Sequence, residues 1–412
     1  MNDTLAMNGL LQRALGTLLA VTLLAGCVVN EQRPMQRVAA ERATTEVAED
    51  ELLDVGVRLF DPNVPATTEQ QEKDRVFPEV RKAESRYIPL VIRDTLEDTG
   101  QWGQVRVLPG DGTGMEVFVD GRILESTGRE LRLQLVVSDA TGRAWFNKVY
   151  EGEADTRAYK DGLSKPRDPF ENVYNTFAND LLTARRALTR EQRVDLRRVA
   201  ELRFAADLAP YAFGSYLAKD RKGLYSAVRL PAEDDPVVQR MDRVRERDYA
   251  LVDTLNEHYA SFGGSMAEPY TQWRKANYEE LEAEAQAKRE ALTRQVLGAV
   301  AVVGGIMAGA ETSSSAGSAA ATAAVIGGMY AFKSGLDKRA EVKIHTESLK
   351  QLGDSFQSEV QPMVVDVEGR TLELKGSAEE QYAEWRQLLR ELYENETGVP
   401  AASTAGAPSG RP

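Results

Sequence analysis

The chain has 412 residues, a formal net charge of −13 and a pI near 5.0. A surface this acidic repels phosphate groups, so we expect no nucleic-acid partner. There is one cysteine, Cys27, and there are two histidines, His258 and His345. A disulfide within the chain is therefore impossible. Zinc sites need clustered His and Cys ligands, so we also expect no metal and no cofactor.

The amino-terminal residues predict a signal peptide that ends just before the cysteine. Arg13 supplies the positive charge, and residues 14–24 form an apolar stretch that is short for a bilayer span. The sequence Leu24-Ala25-Gly26-Cys27 follows, and it resembles the lipobox of bacterial lipoproteins. That resemblance implies cleavage before Cys27, acylation of its sulfur and its new amine, and attachment to a membrane. An uncleaved signal anchor is the alternative.

The residues after the cysteine indicate where such a lipoprotein goes. In enteric bacteria, an aspartate next to the acylated cysteine favours the inner membrane. Val28 stands there in this chain, so the resemblance implies lipid anchoring on the periplasmic side of the outer membrane. We divide this part of the chain into a lipoprotein signal peptide at 1–26 and a polar tether at 27–50.

The first folded domain is expected at 51–190. Alternating apolar residues and turn signals predict five strands, at 52–60, 105–108, 116–124, 131–137 and 144–150. Helical spacing predicts two helices, at 78–98 and 169–188. The strict alternation that begins at Leu131 predicts a strand with one buried face. The order is strand, helix, strand, three-stranded meander and helix.

A resemblance covers the meander. The turn sequence VSDATGRAW (137–145) and the following YEGE (150–153) resemble the amino-terminal domain of TolB. They are also similar to the periplasmic domains of the curli secretion lipoprotein CsgG and of lipoproteins that activate penicillin-binding proteins. The resemblance implies a small α/β domain that binds protein partners and has no catalytic residues. For the whole chain we predict the α+β class.

Residues 191–265 are predicted to be a helical region with breaks near Pro210 and Pro236. Four arginines crowd its first part, namely Arg193, Arg197, Arg198 and Arg203. They form either a docking face for an acidic surface or lipid headgroups, or a solvated face balanced by nearby carboxylates. The acidic chain favours the solvated face.

Residues 266–360 are predicted to form a long helical hairpin with an apolar, glycine-rich tip. Dense charge at 268–295 predicts a long exposed helix, for which a coiled-coil arm is one arrangement. From 296 to 333 the charges are Glu311 and the final Lys333. Four glycines lie about equally far from a polar turn at 312–317 and would face each other in a hairpin: Gly304, Gly305, Gly327 and Gly328.

Three interpretations of the 296–333 hairpin compete. It packs within a soluble helical domain, it inserts into a membrane, or it joins copies of the chain into a homo-oligomer. Small residues allow close packing of helices in each case. An arm of about 15 residues is roughly 22 Å long, against about 30 Å for a bilayer core. That length favours soluble packing or self-association.

The remaining carboxyl-terminal residues predict a β-hairpin and helix at 361–396, turning at Glu368-Gly369, with faint similarity to half of a BON domain. Residues 397–412, rich in Ala, Gly, Pro and Ser, are predicted to be a disordered tail.

We find no sequence motif of an active site, so we predict no catalytic residues and no enzyme. Asp120 and Asp139 are expected at strand ends, where they cap turns. Trp145 and Trp385 are expected in the core or an interface. The expected function is a non-enzymatic, lipid-anchored periplasmic scaffold or accessory factor that binds a cell-envelope protein partner. The alternative is an oligomeric export or channel component of the outer membrane that uses the 296–333 hairpin.

Overall fold

The computed structural model describes residues 37–154, 158–159, 168–232, 235–308, 340, 342–354, 363–367 and 370–397. The chain divides into two compact units, 1–36 and 37–412, and every described residue belongs to the second unit. Cys27, Gly327 and Gly328 lie outside the described residues.

A five-stranded mixed sheet forms the centre of the amino-terminal half. Its strands are β1 (Val55–Arg58), β2 (Val105–Leu108), β3 (Val117–Ser126), β4 (Glu130–Asp139) and β5 (Ala144–Glu153). They lie in the order β2-β1-β3-β4-β5, with β1 parallel to both neighbours and β3, β4 and β5 antiparallel. The predicted order of elements and the α+β class are confirmed. The likeness to the TolB amino-terminal domain remains a prediction.

Two helices cover one face of this sheet, namely α2 (Pro78–Thr99) and α3 (Glu171–Arg186). The short helix α1 (Thr68–Lys73), which precedes them, buries none of its residues. Helix α2 begins at Pro78, and Gly100 caps its carboxyl end. The backbone of Gly100 is left-handed, with φ 62°, a conformation that glycine adopts easily. The prediction of one buried face on β4 is also confirmed, because its alternate residues pack into the core beneath α2 and α3, namely Leu131, Leu133, Leu135 and Val137.

The predicted helical region is only partly helical. Helix α4 (Arg190–Leu208) starts with a capping box formed by Thr189 and Gln192. A single helical turn at Pro210–Phe213 follows, and then a β-hairpin of β6 (Leu217–Lys219) and β7 (Tyr225–Ala227), which corrects the prediction. Strands of three residues are too short to show an alternating pattern. The predicted breaks near Pro210 and Pro236 are confirmed, since α4 ends at Leu208 and the next long helix begins at Pro236, where the first helical turn needs no amide donor.

Helix α5 (Pro236–Ala308) has 73 residues, or about 110 Å at 1.5 Å per residue. The prediction of an exposed helix at 268–295 is wrong for its first part, since Tyr270 and Trp273 are buried against α2. Helix α6 (342–354) packs on the same stretch, and the Trp273 indole Nε1 donates to Thr346 Oγ1 at 3.2 Å. Gly304 and Gly305 lie in the helical backbone of α5.

The carboxyl-terminal hairpin and helix are confirmed as β8 (Met363–Val367), β9 (Arg370–Leu374) and α7 (Ala378–Thr397). Helix α7 packs on α4 and α5 in a second hydrophobic core. Residues 368–369 and 398–412, on which the predicted turn and tail fall, lie outside the described residues. Within the described part, no helix is long and apolar enough to cross a membrane.

The described part of the predicted tether follows the surface of the five-stranded sheet and its helices α2 and α3, which we call the sheet domain. The backbone amide of Val38 donates to Asn172 Oδ1 at 3.0 Å, and that of Glu41 donates to Asn179 Oδ1 at 2.8 Å. These contacts place residues 38–41 along α3. Residues 27–36 lie outside the described residues.

Candidate protein-binding groove

Exposed apolar side chains concentrate in one short segment. Six large hydrophobic residues are exposed among the described residues, and four of them lie between 211 and 237. They are Tyr211 (68% exposed), Val228 (63%), Leu230 (50%) and Val237 (37%). Scattered exposed hydrophobic residues are normal, but a concentration of them is typical of an interaction site.

One of these residues, Leu230, lines an apolar groove between α4 and α5, and Val237 precedes the lining residue Val238. Leu202, Phe204, Phe213 and Met241 are buried and line it, and Leu230 and Pro231 contribute to its wall. The groove is open to solvent and holds about 70 Å³. That space suits one large apolar side chain from another molecule. We call this site the apolar groove.

Helical periodicity explains how the sequence builds the groove. Residues 198, 201, 202 and 205 of α4 share one helical face, and residues 238, 241, 242 and 245 of α5 share another. Pro210 starts the short turn that brings Phe213 to the groove. The sequence analysis missed this site. A partial signal for it is the short apolar stretch LAPYAF at 208–213, which separates the charged residues of α4 from those that begin at Lys219.

Ion pairs surround the groove. Arg245 lies 3.2 Å from Glu201 and 3.2 Å from Asp242, so its charge is locally balanced. The segment 190–247 nevertheless contains 13 Lys and Arg residues against 10 Asp and Glu residues, in a chain whose net charge is −13. The charged residues that line the groove, two arginines and two carboxylates, therefore balance, and the surrounding segment is slightly basic.

The crowded arginines of α4 have mainly structural partners. The guanidinium groups of Arg193, Arg197 and Arg203 donate to backbone carbonyls of Leu188 (2.9 Å), Glu49 (2.6 Å) and Ala140 (2.7 Å), respectively. They tie α4 to the sheet domain, so they do not form the docking face that was one of the two interpretations. Arg198 lines the groove and pairs with Asp195 at 3.4 Å.

The two aspartates singled out in the sequence differ. Asp139 Oδ1 accepts from the backbone amide of Thr141 at 2.9 Å, so this residue caps its turn as predicted. The prediction for Asp120 is wrong, because this residue lies within β3 and binds the Arg58 guanidinium at 2.9 Å. A pattern of alternating residues does not mark where a strand of ten residues ends.

The two tryptophans are core residues, as expected. Trp385 is 3% exposed in the core that α7 shares with α4 and α5. Trp145 is partly buried at the edge of the sheet core, and its indole nitrogen donates to Asp139 Oδ2 at 2.9 Å.

A buried polar cluster joins α2, β3 and α5. The Glu84 carboxylate is fully buried and accepts hydrogen bonds from Ser126 and Tyr270. The Arg274 guanidinium donates to Tyr270 at 2.9 Å and to Asp168 at 3.0 Å. Burial raises the pKa of the Tyr270 hydroxyl well above its ordinary value. These groups compensate one another, so the cluster fixes α5 against the sheet domain.

A carboxyl pair precedes β1 and β3. Glu116 Oε2 accepts from the backbone amide of Asp54 at 2.6 Å. Burial, followed by repulsion from the Asp54 carboxylate, raises the pKa of Glu116 to about 7. Arg106 binds Asp253 through two hydrogen bonds of 2.6 and 3.0 Å, and its Nη1 lies 4.0 Å from Asp54. Glu116 is therefore a group that titrates near neutral pH.

Within the described ranges, no three His, Cys, Asp or Glu residues are arranged to hold a metal ion. Comparison of the whole chain with known proteins adds no further constraint: no family model, no curated protein and no solved structure matches it.

Proposed function

We propose that the mature chain is a non-enzymatic lipoprotein, anchored through acylated Cys27 on the periplasmic side of the outer membrane, that binds a cell-envelope protein through the apolar groove. The lipobox-like sequence at residues 24–27 supports the anchor. The single observation that supports binding is the concentration of exposed apolar residues in the segment 211–237, of which Leu230 lines the groove.

The chemistry of the groove restricts the partner. Its apolar lining and its small volume fit one anchoring side chain, such as leucine or phenylalanine, and such anchors carry much of the binding energy in protein interfaces. An amphipathic segment presents a side chain of this kind on one face. The excess of basic residues in 190–247 favours acidic residues beside it.

The groove is a better site than the strand edge of the sheet domain. Strand β5 exposes Val149, but Lys148 and Glu151 flank it along the strand. Charged residues on an edge strand oppose pairing with another chain. Partner binding through the sheet domain, which the TolB resemblance implies, therefore has less support than binding through the groove.

Intact-mass spectrometry of the mature protein tests the anchor. We expect the mass of a chain that begins at Cys27, increased by a diacylglycerol on sulfur and an acyl group on the amine. A variant with Cys27→Ser should keep its leader and leave the membrane fraction that holds the acylated protein. A bare thiol at Cys27 in the mature protein would overturn the anchor.

Photo-crosslinking in cells tests the groove. A photoreactive amino acid replaces Tyr211 in one version of the full chain, and replaces Asn147, an exposed residue of β5, in the control. We expect position 211 to crosslink one discrete envelope protein, with the crosslink mapping to an acidic, amphipathic segment, and position 147 not to do so. Crosslinks to lipid alone, to a second copy of the chain, or equally from both positions would contradict the proposal.

The alternative function is an oligomeric export or channel component that uses the 296–333 hairpin. The helical backbone of α5 at Gly304 and Gly305 is compatible with close packing of a second helix there. Size measurement of the purified full chain distinguishes the two. Rings of several subunits in detergent would favour the alternative, and monomers at all detergent concentrations would contradict it.

A further inference from the structure

The β6–β7 hairpin carries a concentration of positive charge in an acidic protein. From Pro210 to Pro231 the chain has four basic residues and one acidic residue, a net charge of +3, whereas the whole chain has a net charge of −13. Three of the basic residues lie at the tip of the hairpin, and all three are exposed, namely Lys219, Arg221 and Lys222. We call these three residues the basic tip.

The one acidic residue of the hairpin closes its turn. Asp220 Oδ1 accepts from the backbone amides of Lys222 and Leu224, each at 2.8 Å. Lys219 Nζ lies 4.9 Å from the centre of the Tyr225 ring. Among the residues that the structure describes, no carboxylate forms an ion pair with the basic tip. The basic tip therefore presents its positive charge to solvent.

The hairpin holds the basic tip in a fixed place. Gly223 is left-handed, with φ 85°, at the last position of the loop. The backbone amide of Tyr225 donates to the carbonyl of Thr141 at 2.8 Å, in the turn between β4 and β5. The Tyr225 ring packs on the cluster that contains Val199 of α4, and the Arg203 guanidinium lies 4.6 Å from the ring centre. Because the hairpin is attached to both the sheet domain and α4, little conformational entropy is lost when a partner binds it.

The basic tip and the apolar groove belong to one continuous segment. Strand β7 ends at Ala227, and three residues later the chain reaches Leu230, which lines the groove. Leu217 and Ala227 pack on the hydrophobic core that also contains the groove residue Phe213. Eight residues separate Lys222 from Leu230, so the two lie at most about 26–29 Å apart. A single helical segment of about 20 residues spans that distance.

We propose that the basic tip is the electrostatic part of the partner-binding site, where it binds an acidic stretch of the same partner segment that inserts its apolar anchor into the groove. This proposal rests on the proposed function. Charge complementarity is the argument, because an acidic stretch is attracted to the basic tip and repelled by the acidic remainder of the chain. The basic tip thereby sets the orientation in which the segment docks.

The distance limit makes the proposal specific. An acidic stretch within about 29 Å of the apolar anchor lies at most about 19 residues from it in a helix, or about eight residues from it in an extended segment. A partner segment without acidic residues in that range does not fit the site.

Photo-crosslinking from the hairpin tests where the acidic stretch lies. A photoreactive amino acid replaces Ser226, an exposed residue of β7, in the full chain, so the three basic residues stay in place. We expect position 226 to crosslink the same envelope protein that position 211 captures, at an acidic stretch within the stated range of the 211 crosslink. Position 147 again serves as the control. A crosslink from 226 to a stretch without acidic residues, to lipid or to a second copy of the chain would overturn the proposal.

Charge reversal measures how much the basic tip contributes. Replacing its three residues by Glu lowers the net charge by six, and the control lowers it equally by replacing three exposed basic residues on other elements, namely Lys73, Lys343 and Lys375. We expect reversal of the basic tip to lower the yield of the partner crosslinked from position 211 by about tenfold or more, and the control to lower it by less than about threefold. Equal losses would overturn the proposal, because net charge alone would then explain them.

A neutral variant guards against misfolding of the reversed hairpin. Replacement of the three residues of the basic tip by Gln should leave the thermal unfolding midpoint unchanged and lower the crosslink yield by about threefold. If position 211 captures a partner whose yield neither the Glu nor the Gln variant changes, binding at the groove stands and the basic tip is not part of the site. If position 211 captures no envelope protein, the proposed function fails and this proposal fails with it.

Discussion

Two stretches of α5 have opposite surroundings. Between Tyr259 and Trp273 the helix buries Tyr259, Tyr270 and Trp273 to 2% exposure or less, between α2, α6 and the sheet domain. Between Val237 and Arg245 the same helix borders an open groove and leaves Val237 37% exposed. Both stretches carry large apolar residues, but only one of them is covered.

This difference distinguishes apolar residues that stabilise the fold from apolar residues that do not. Apolar surface stabilises a fold by about 25 cal/mol for each Å² that it removes from water. The covered stretch is explained by this gain. Side chains at Tyr211, Val228 and Leu230 remain largely in water, so they add little to the stability of the monomer. The proposed partner would cover them.

The largest effect is expected in the covered stretch. Arg274→Ala leaves the Asp168 carboxylate without its ion pair and removes the buried guanidinium that donates to Tyr270. Breaking a buried pair costs about 3–5 kcal/mol, so the free energy of unfolding in urea should fall by that amount. Arg190→Ala, which breaks an exposed pair with Asp50, is the control and should cost less than about 0.5 kcal/mol. Equal effects of the two substitutions would contradict the comparison.

A smaller loss is expected where a turn touches α5. A Cβ atom at Gly128 would lie 1.9 Å from the carbonyl oxygen of Arg274 and 2.6 Å from the backbone nitrogen of Tyr278. Gly128→Ala should therefore destabilise the protein by about 2–3 kcal/mol through overpacking. Gly214→Ala is the control, since its Cβ would meet open space at φ −60°. Thermal unfolding of both variants checks this, and a neutral Gly128→Ala would show that α5 is not in contact with the turn.

Much of the sheet domain could be predicted from the sequence, and the groove could not. The strand and helix positions of the domain follow from local patterns, such as the alternation from Leu131 to Val137 and the glycine cap at Gly100. The groove forms where Leu202 and Met241, 39 positions apart, meet across two helices. No local pattern specifies that meeting. The buried half of α5 was missed for a similar reason, because dense charge at 279–290 conceals the apolar residues before it.

Titration of Glu116 should change the free energy of unfolding by about 1–2 kcal/mol. This change is smaller than the pKa shift alone would give, because the residue is partly exposed and solvent screens its charge. Its pKa is 4.5 when unperturbed and about 7 in the folded protein, so the folded state keeps a proton that the unfolded state has lost. The free energy of unfolding should consequently fall as the pH rises from about 4.5 to 7. Glu116→Gln keeps the acceptor for Asp54 and should be more stable than the wild type at pH 8. Urea midpoints at pH 5 and pH 8 measure this.

The control for the titration is Glu69→Gln on the exposed side of α1. It should leave the difference between the two midpoints as it is in the wild type. If Glu116→Gln kept the wild-type pH dependence of stability, the claim that the Glu116 carboxyl group titrates near neutral pH would be contradicted.

The smallest effect on stability, and the largest on binding, is expected at the groove. The most direct test of the proposed binding surface is the double substitution Val228→Ser and Leu230→Ser. Both substitutions are made in a full chain that carries the photoreactive residue at position 211. We predict that the free energy of unfolding changes by less than about 0.5 kcal/mol, while the yield of the crosslinked partner falls at least tenfold. An unchanged crosslink, or a loss of several kcal/mol in stability, would contradict it.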